Sequence, residues 1–114
     1  MGAEMNYKVV YNASVPYKDL GGGVTRRVLA YNGDIMTVEV SFEKGSVGSP
    51  HTHPHTQNTY VRSGKFEFTV DGDKVTVCEG DTLTFFPGVL HGTLCLEKGI
   101  LLDTFTPMRE DFVE

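Results

Sequence analysis

Residues 51–57 read HTHPHTQ and hold three of the four histidines of this 114-residue chain. At strand spacing, His51, His53, His55 and Gln57 would all face one way, but six residue steps of about 3.3 Å span about 20 Å. Metal–ligand bonds are only about 2 Å long. A straight strand therefore cannot bring all four side chains to one ion. Either the chain bends within this stretch or some of these residues are not ligands.

The proline in this stretch indicates where the chain bends. Pro54 has no N–H to give to a strand ladder, and it biases His53 away from helical geometry. The sequence therefore predicts that "PHT" forms the bend, with His51 and His53 ending one strand and Gln57 beginning the next. The bend returns Gln57 to the side of the two histidines. It leaves His55 at the tip, outside the set of ligands.

The fourth histidine supplies the remaining donor of a possible metal site. His91 follows a Pro-Gly turn in "FFPGVLHG", at a predicted strand end. Two imidazoles at i and i+2 on an inward strand face, a donor across a turn and a fourth from elsewhere make a feasible site for a divalent metal. The alternative is a polar barrel lining that holds no ion.

Composition limits the classes of function. A chain of this length is expected to form one domain, residues 1–114. The net charge of −5 and pI near 5.3 argue against nucleic acid or an anionic membrane as a partner. We find no signal peptide and no run of 18 apolar residues, so a cytoplasmic protein is expected. Cys78 and Cys95 are then expected to be reduced, partly buried thiols.

The hydrophobic pattern predicts strands throughout. In "IMTVEVSFE" apolar residues alternate with polar ones from Met36 to Phe42, and "KFEFTVDGDKVTV" is a hairpin signal. "DTLTFF", "GILLDTF", "VTRRVLAY" and "YKVVYN" are further candidate strands, and only "MREDFVE" is expected to curl. Short strands with glycine-containing turns predict an all-β sandwich or barrel.

Two neighbouring arginines on one of these strands face opposite sides of the sheet. Arg26 and Arg27 follow the "GGGV" stretch, which is interpreted as a flexible turn. The preferred interpretation is two solvated charges at a sheet edge. The alternative is that one of them points into a cavity.

Two motifs in this order resemble the cupin family. "GSVGSPHTHPHTQNTYVRSG" (45–64) is similar to the first cupin motif, with glutamine at the position where glutamate is commonest. "GDTLTFFPGVLHGTLC" (80–95) is similar to the second, although its proline is adjacent to the glycine and Cys95 replaces the usual asparagine. The resemblance implies an antiparallel double-stranded β-helix, or jelly roll, with little or no helix. It also implies one divalent transition metal bound by His51, His53, Gln57 and His91.

The glutamine affects the chemistry expected of such a site. Three neutral imidazoles and an amide leave a divalent ion its full +2 charge, which favours an anionic ligand and Lewis-acid chemistry. The set is a poorer match for the two-histidine, one-carboxylate irons that activate oxygen. Ligand type does not choose among Zn, Ni, Mn, Fe and Co.

The C-terminal "LLDTFTPMREDF", with "GGGVTRRVLAY" and "HPHTQ", resembles the small single-domain cupins of the KdgF group, which act in pectin and alginate degradation. That resemblance implies ring opening of 4,5-unsaturated uronates. The roles implied are catalytic for Asp103 and Arg109 and substrate-binding for Phe105 and Arg109. Asp103 would move a proton and Arg109 would bind the uronate carboxylate. The alternative is an Asp103–Arg109 ion pair that fastens the C-terminal tail.

Two other functions stay open from the sequence. One is a different small-molecule cupin enzyme, such as an isomerase or dioxygenase. The other is a non-catalytic cupin that binds a metal and a sugar or carboxylate. Cupins of this kind are usually homodimers, so the resemblance implies a homodimer, with the N-terminal strand a candidate for pairing across subunits.

Overall fold

The computed structural model describes residues 6–113, so the predicted domain bounds of 1–114 extend past them at both ends. Strands dominate the described part of the chain, and its only helical segments are short 3-10 turns at Asn12–Ser14 and Glu110–Phe112. The strands are β1 (Lys18–Gly21), β2 (Val24–Tyr31), β3 (Met36–Phe42), β4 (Val47–His51), β5 (Thr56–Val70), β6 (Asp73–Cys78), β7 (Thr82–Phe85) and β8 (His91–Thr106).

Two long strands, β5 and β8, organise the fold. They pair antiparallel along nearly their whole length, and each contributes one half to each of two sheets. One sheet has the order β1-β2-β3-β8-β5-β7, and the other has the order β4-β8-β5-β6. All pairings are antiparallel. This is the jelly roll that the sequence predicts.

Both long strands bend where they pass from one sheet to the other, and glycines make the bend possible. A Cβ on Gly64 would lie 2.6 Å from the Glu97 carbonyl oxygen, and one on Gly99 would lie 2.1 Å from the Ser63 carbonyl oxygen. Gly64 also has φ of 85°, which glycine adopts without steric cost. The two backbones can approach this closely only because neither position carries a side chain.

The core lies between the two sheets. Aromatic contacts join them: the rings of Phe42 and Phe66 are 5.3 Å apart at their centroids, and those of Phe68 and Phe85 are 5.5 Å apart. Fully burying one such side chain contributes about 1.5–3 kcal/mol. A second cluster of Met36, Val38 and Phe105 packs against the C-terminal segment. Most of the apolar residues that alternate in "IMTVEVSFE" and in the 66–77 hairpin are therefore core residues, as predicted, but Val75 is 41% exposed.

One predicted strand is wrong. "YKVVYN" is not paired with any described strand; residues 7–11 are unpaired coil, and a 3-10 turn follows. Its apolar pattern is that of a strand, but no strand within residues 6–113 forms a ladder with it. Within residues 6–113, no helix has the length and apolar character needed to cross a membrane.

The prediction of two solvated edge arginines is also wrong. Arg27 is buried on the outer face of the sheet, where its Nε donates to Glu39 at 2.9 Å. It also donates to the carbonyl and side-chain oxygens of Asn12. Tyr17 and Arg62 donate to the same Glu39 carboxylate at 3.0 and 3.2 Å. At Glu39, the polar face of β3 is therefore covered and does not face solvent.

The two cysteines differ in environment. Both are free thiols, but Cys78 is exposed and only Cys95 is buried. Cys78 therefore departs from the expectation of two partly buried thiols. The C-terminal curl and the "DGD" turn are confirmed; in the turn, Asp71 and Gly72 have φ of 48° and 88°.

Candidate metal centre and active site

Two strand ends and the loop between β4 and β5 bring three histidines together. His51 ends β4 and His91 begins β8, and these two residues are paired across the strands. The sequence predicts that His53 also ends the strand of His51, but β4 stops at His51 and His53 lies in the loop before β5. Each of the three offers a ligand atom, and these atoms lie within 4.8 Å of one another. His55 is outside this group, with its Nε2 3.2 Å from the main-chain oxygen of Met108.

Hydrogen bonds to the backbone fix the tautomer of these rings. The Nδ1 atoms of His51 and His91 lie 2.9 and 3.1 Å from main-chain carbonyl oxygens, which only accept. Each Nδ1 must therefore carry the proton, and Nε2 keeps its lone pair. Metal-binding histidines in proteins are oriented in this way.

His91 shows most clearly that the site fits a cation. Its ring stacks on Phe85, with 4.3 Å between centroids, and its Nε2 is buried without a hydrogen-bonding partner among the described residues. Burial lowers the pKa of His91 to about 4, so the ring is neutral at neutral pH. An unpaired buried lone pair is costly, and a metal ion at Nε2 would satisfy it.

Gln57 stands beside the histidines in a manner consistent with its predicted role as a ligand. Its Oε1 lies 2.8 Å from His53 Nε2, and His53 Nδ1 lies 3.2 Å from the His55 carbonyl oxygen. Burial lowers the pKa of His53, which favours a neutral ring with one N–H. Only one of the two contacts is then a hydrogen bond. With the proton on Nδ1, as in His51 and His91, the lone pair of His53 Nε2 faces that of Gln57 Oε1. A cation bound by both atoms would replace this repulsion.

A chain of hydrogen bonds links the histidine cluster to Asp103. The Gln57 amide donates to Thr59 Oγ1 at 2.9 Å, and the Thr59 hydroxyl donates to Asp103 Oδ1 at 2.7 Å. Asp103 faces inward with Leu101 and Phe105, as their alternation along β8 predicts. Burial raises the pKa of Asp103 to about 6, against the opposing effect of the Thr59 hydrogen bond. Both protonation states are therefore accessible near neutral pH.

Arg109 reaches the same region but does not pair with Asp103. Its Nε and Nη2 donate to Asp111 at 3.1 and 2.9 Å, and this ion pair holds the pKa of Asp111 below its usual value. The alternative of an Asp103–Arg109 ion pair is therefore wrong. Asp111 takes two of the five guanidinium N–H groups and leaves three for a ligand.

Two of the three clustered histidines, with Gln57, Asp103 and Arg109, line one small cavity of about 160 Å³. The volume is below the range of about 300–1,000 Å³ that is typical for drug-sized ligands, so a monosaccharide suits it better than a sugar chain. A larger groove of about 580 Å³ lies beside the β1–β2 hairpin, but it contains none of the histidines. The smaller cavity is lined, among others, by His51, Gln57, His91, Asp103, Phe105 and Arg109.

Sequence reasoning missed four residues of the site or left them open. Thr59 shares the inward face of β5 with Gln57, so strand periodicity could have found it. Asp111 and Phe112 lie in "MREDFVE", for which the sequence predicts only a curl. Arg26 lines the cavity, which is the alternative considered for this arginine pair.

Comparison with known proteins adds to this geometry. A family model described as cupin domain matches residues 38–102. The pectin degradation protein KdgF of Dickeya dadantii is 40% identical over 100 residues, which cover 86% of this chain and 91% of that protein. A crystal structure of an RmlC-like cupin from Shewanella frigidimarina superposes with a TM-score of 0.89 at 39% identity, covering 94% and 96% of the two chains. The structure of KdgF from Halomonas sp. superposes with a TM-score of 0.88 at 33% identity, covering 93% and 98%.

Proposed function

The chain belongs to the cupin domain family, and we propose that within this family it is a metal-dependent enzyme that opens the ring of small 4,5-unsaturated uronates from pectin or alginate breakdown. The observation that carries the proposal is a cluster of three histidines at one cavity of monosaccharide size, which is lined by His51, His91, Gln57 and the buried Asp103. The similarity to two KdgF proteins over most of the chain supports the choice of substrate.

The metal would be held by His51, His53, His91 and Gln57. All four offer neutral donor atoms, and the unpaired Nε2 of His91 favours a bound cation. When bound there, a divalent transition metal would supply a Lewis acid for the oxygens of the substrate. Zn, Ni, Mn, Fe and Co are all compatible with imidazole and amide ligands.

Asp103 would move the protons of the reaction. Ring opening is an isomerisation: the ring hydroxyl loses a proton, the ring C–O bond breaks as a carbonyl forms, and the enol carbon gains a proton. No other atom enters or leaves. Asp103 is buried, faces the cavity and is oriented by the Thr59 hydroxyl, which are the requirements for a general acid–base residue.

Arg109 and Phe105 would bind the substrate. The three free N–H groups of Arg109 suit a carboxylate, which accepts charge-assisted hydrogen bonds. Phe105 lies on the inner face of β8 two residues from Asp103 and lines the cavity. Its ring would form an apolar wall against the sugar.

The function is tested by offering metal-loaded protein 4,5-unsaturated galacturonate and 4,5-unsaturated guluronate, with saturated galacturonate as the control. We expect the enol ultraviolet absorbance of the unsaturated sugars to disappear and a linear keto-uronate to appear by NMR. Oxygen uptake during turnover would indicate an oxidative cupin enzyme. Tight sugar binding with no turnover of either substrate would indicate a binding protein, and either result would contradict the proposal.

We also propose that residues 1–114 act as one cytoplasmic cupin domain that forms a homodimer. Four large side chains on the N-terminal segment, Tyr7, Val9, Tyr11 and Tyr17, are more than half exposed, and β1 is an open sheet edge. A second copy would cover both. Light scattering on the eluting protein should give twice the chain mass, and a monomer at micromolar concentration would contradict this.

A further inference from the structure

Arg26 occupies an unusual place for a cation. It lies on β2 between Val24 and Val28, on the strand face that points into the barrel. Its side chain lines the same cavity as His51 and Asp103. Burial, and the nearby charge of Arg109, lower the pKa of Arg26. A cation in such a place normally has an anionic partner.

The neighbouring arginine shows what a satisfied arginine looks like in this fold. Arg27 points to the opposite face of β2, where Glu39 and Asn12 accept hydrogen bonds from it. Among residues 6–113, by contrast, the Arg26 guanidinium has no hydrogen-bonding or ion-pair partner, and its close contact is with an aromatic ring. Its Cζ lies 3.8 Å from the centroid of Phe112. Stacking on a ring leaves the N–H groups at the guanidinium edge available.

Phe112 holds a second guanidinium near the first. The Cζ of Arg109 lies 4.2 Å from the centroid of the same ring. Asp111 is the nearby carboxylate, and both of its oxygens accept hydrogen bonds from Arg109. Two arginines and one aspartate leave one positive charge at this end of the cavity.

We propose that Arg26 binds the carboxylate of the substrate, next to Arg109, and makes the site select an acid over the neutral sugar. The C-terminal turn contributes through Phe112, which positions both guanidinium groups. The inference rests on the proposed function for the identity of the substrate. In this assignment Arg26 is the arginine without a protein carboxylate partner, so it carries the charge that the substrate carboxylate neutralises. Arg109, which is already paired with Asp111, adds further hydrogen bonds.

Two substitutions of Arg26 test this inference, Arg26→Gln and Arg26→Lys, with Lys44→Gln as a control. Lys44 is exposed in the turn between β3 and β4, so its substitution removes the same charge far from the cavity. The metal-loaded proteins are compared in turnover of unsaturated galacturonate. They are also compared by calorimetry in binding of saturated D-galacturonate and neutral D-galactose. The loss of a charge-assisted hydrogen bond predicts a KM and a galacturonate Kd about tenfold to a hundredfold higher in Arg26→Gln.

The remaining results separate binding from a structural role. We expect Arg26→Gln to keep its kcat within a few-fold and its galactose affinity unchanged, and Arg26→Lys to recover part of the loss. An unchanged galacturonate Kd in Arg26→Gln would overturn the inference. An equal loss for galactose would also overturn it, because Arg26 would then only fasten the C-terminal turn. If Arg26→Gln does not fold, the same comparisons apply to Arg26→Lys.

The outcome also distinguishes this inference from the proposed function. A wild-type protein that binds galacturonate but turns over no unsaturated uronate would contradict the proposed function. The Arg26 inference would still stand if the variants lose galacturonate binding. A wild-type protein that turns over unsaturated galacturonate, with a KM that Arg26→Gln leaves unchanged, would overturn the inference and leave the function in place. A wild-type protein that neither binds galacturonate nor turns over an unsaturated uronate would overturn both.

Discussion

Backbone carbonyl groups orient the three clustered imidazole rings. His51, His53 and His91 each place Nδ1 near a main-chain oxygen two residues away along the chain. Each of the three residues also offers one ring nitrogen as a ligand atom, and these atoms lie within 4.8 Å of one another. This arrangement follows from local chain geometry at the strand ends. A metal is therefore expected to bind without large rearrangement.

Removal of one imidazole should remove the metal. We expect His91→Ala to weaken binding of a divalent metal by more than a hundredfold, since even loss of an outer partner of a ligand costs about tenfold to a hundredfold. His55→Ala, in which the histidine outside the cluster is removed, should bind one equivalent. Metal content after reconstitution and dialysis checks this, with circular dichroism to confirm folding. A full equivalent of metal in His91→Ala would contradict the assignment.

Asp103 should affect turnover without affecting the metal. Asp103→Asn keeps the shape of the side chain but cannot exchange a proton, and general acid–base catalysis contributes about 10²- to 10⁴-fold. We expect kcat to fall by at least about a hundredfold at unchanged metal content. A wild-type kcat in Asp103→Asn would contradict this role and would show that the buried carboxylate serves only to orient Thr59 and Gln57.

Sequence predicted the residues of this site that carry their own chemical signal. The histidines, Gln57 and Asp103 have side chains whose chemistry and spacing suggest a role. Arg26 and Phe112 acquire theirs from a contact between β2 and the C-terminal turn, which are far apart in the chain. Asp111 matters because it occupies one edge of Arg109. The alternation of apolar and polar residues within one strand does not predict contacts with a distant part of the chain.

At the scale of elements, the fold depends on two strands that bend together. β5 and β8 exchange sheets at Gly64 and Gly99, where the two backbones meet. The strand pairing on either side aligns the beginning of β5 and the end of β8, which puts Gln57 opposite Phe105. The position of the site thus depends on a bend about 20 Å or more away along the strand.

A methyl group at this bend should be poorly tolerated. We expect Gly99→Ala to lower the free energy of unfolding by about 3 kcal/mol, because its Cβ would lie 2.1 Å from the Ser63 carbonyl oxygen. Gly33→Ala is the matched control, since no heavy atom lies within 4 Å of a Cβ built there. Urea unfolding of both variants checks this. Equal stability of the two would show that the backbones separate without cost.

Alternation predicted most strands but could not say which of them find partners. β3, β5, β6 and β7 lie where apolar residues alternate, because one face of each packs on the core. "YKVVYN" has the same pattern and remains unpaired. A strand requires a neighbour as well as a propensity, and the neighbour is a property of topology or of a second chain.

For the whole molecule, one buried ion cluster fastens the N-terminal segment to the outer face of the sheet. Glu39 is 2% exposed and accepts hydrogen bonds from Arg27, Tyr17 and Arg62. Burial acts to raise the pKa of Glu39, but the hydrogen bonds from Arg27 and Tyr17 outweigh it, so the pKa is lowered from 4.5. The free energy of unfolding therefore depends on the ionisation of Glu39.

The sign of the pH dependence follows from this lowered pKa. The unfolded state takes up the proton first, so the contribution of Glu39 is complete above about pH 4.5 and is lost as the pH falls through the folded pKa. We expect Glu39→Gln to be less stable at pH 7 by about 3–5 kcal/mol, because it leaves Arg27 buried and uncompensated. Its stability should fall less steeply below pH 4.5 than that of the wild type.

A surface carboxylate provides the control for this measurement. Glu67 pairs with the exposed Lys74 at 3.8 Å, so Glu67→Gln should change stability by about 1 kcal/mol or less. Urea unfolding at several pH values between 3 and 7 compares the three proteins. An acid profile of Glu39→Gln parallel to that of the wild type would contradict the assignment of this cluster.

The most direct test of the proposed function is the dependence of turnover on bound metal. Chelator-stripped protein is titrated with each candidate divalent metal, and loss of the enol absorbance of unsaturated galacturonate is followed at every step. We expect no turnover without metal, a rate that rises in proportion to bound metal, and saturation at one equivalent per chain. Equal turnover by stripped and loaded protein, or none with any metal on protein shown to hold one equivalent, would contradict the account.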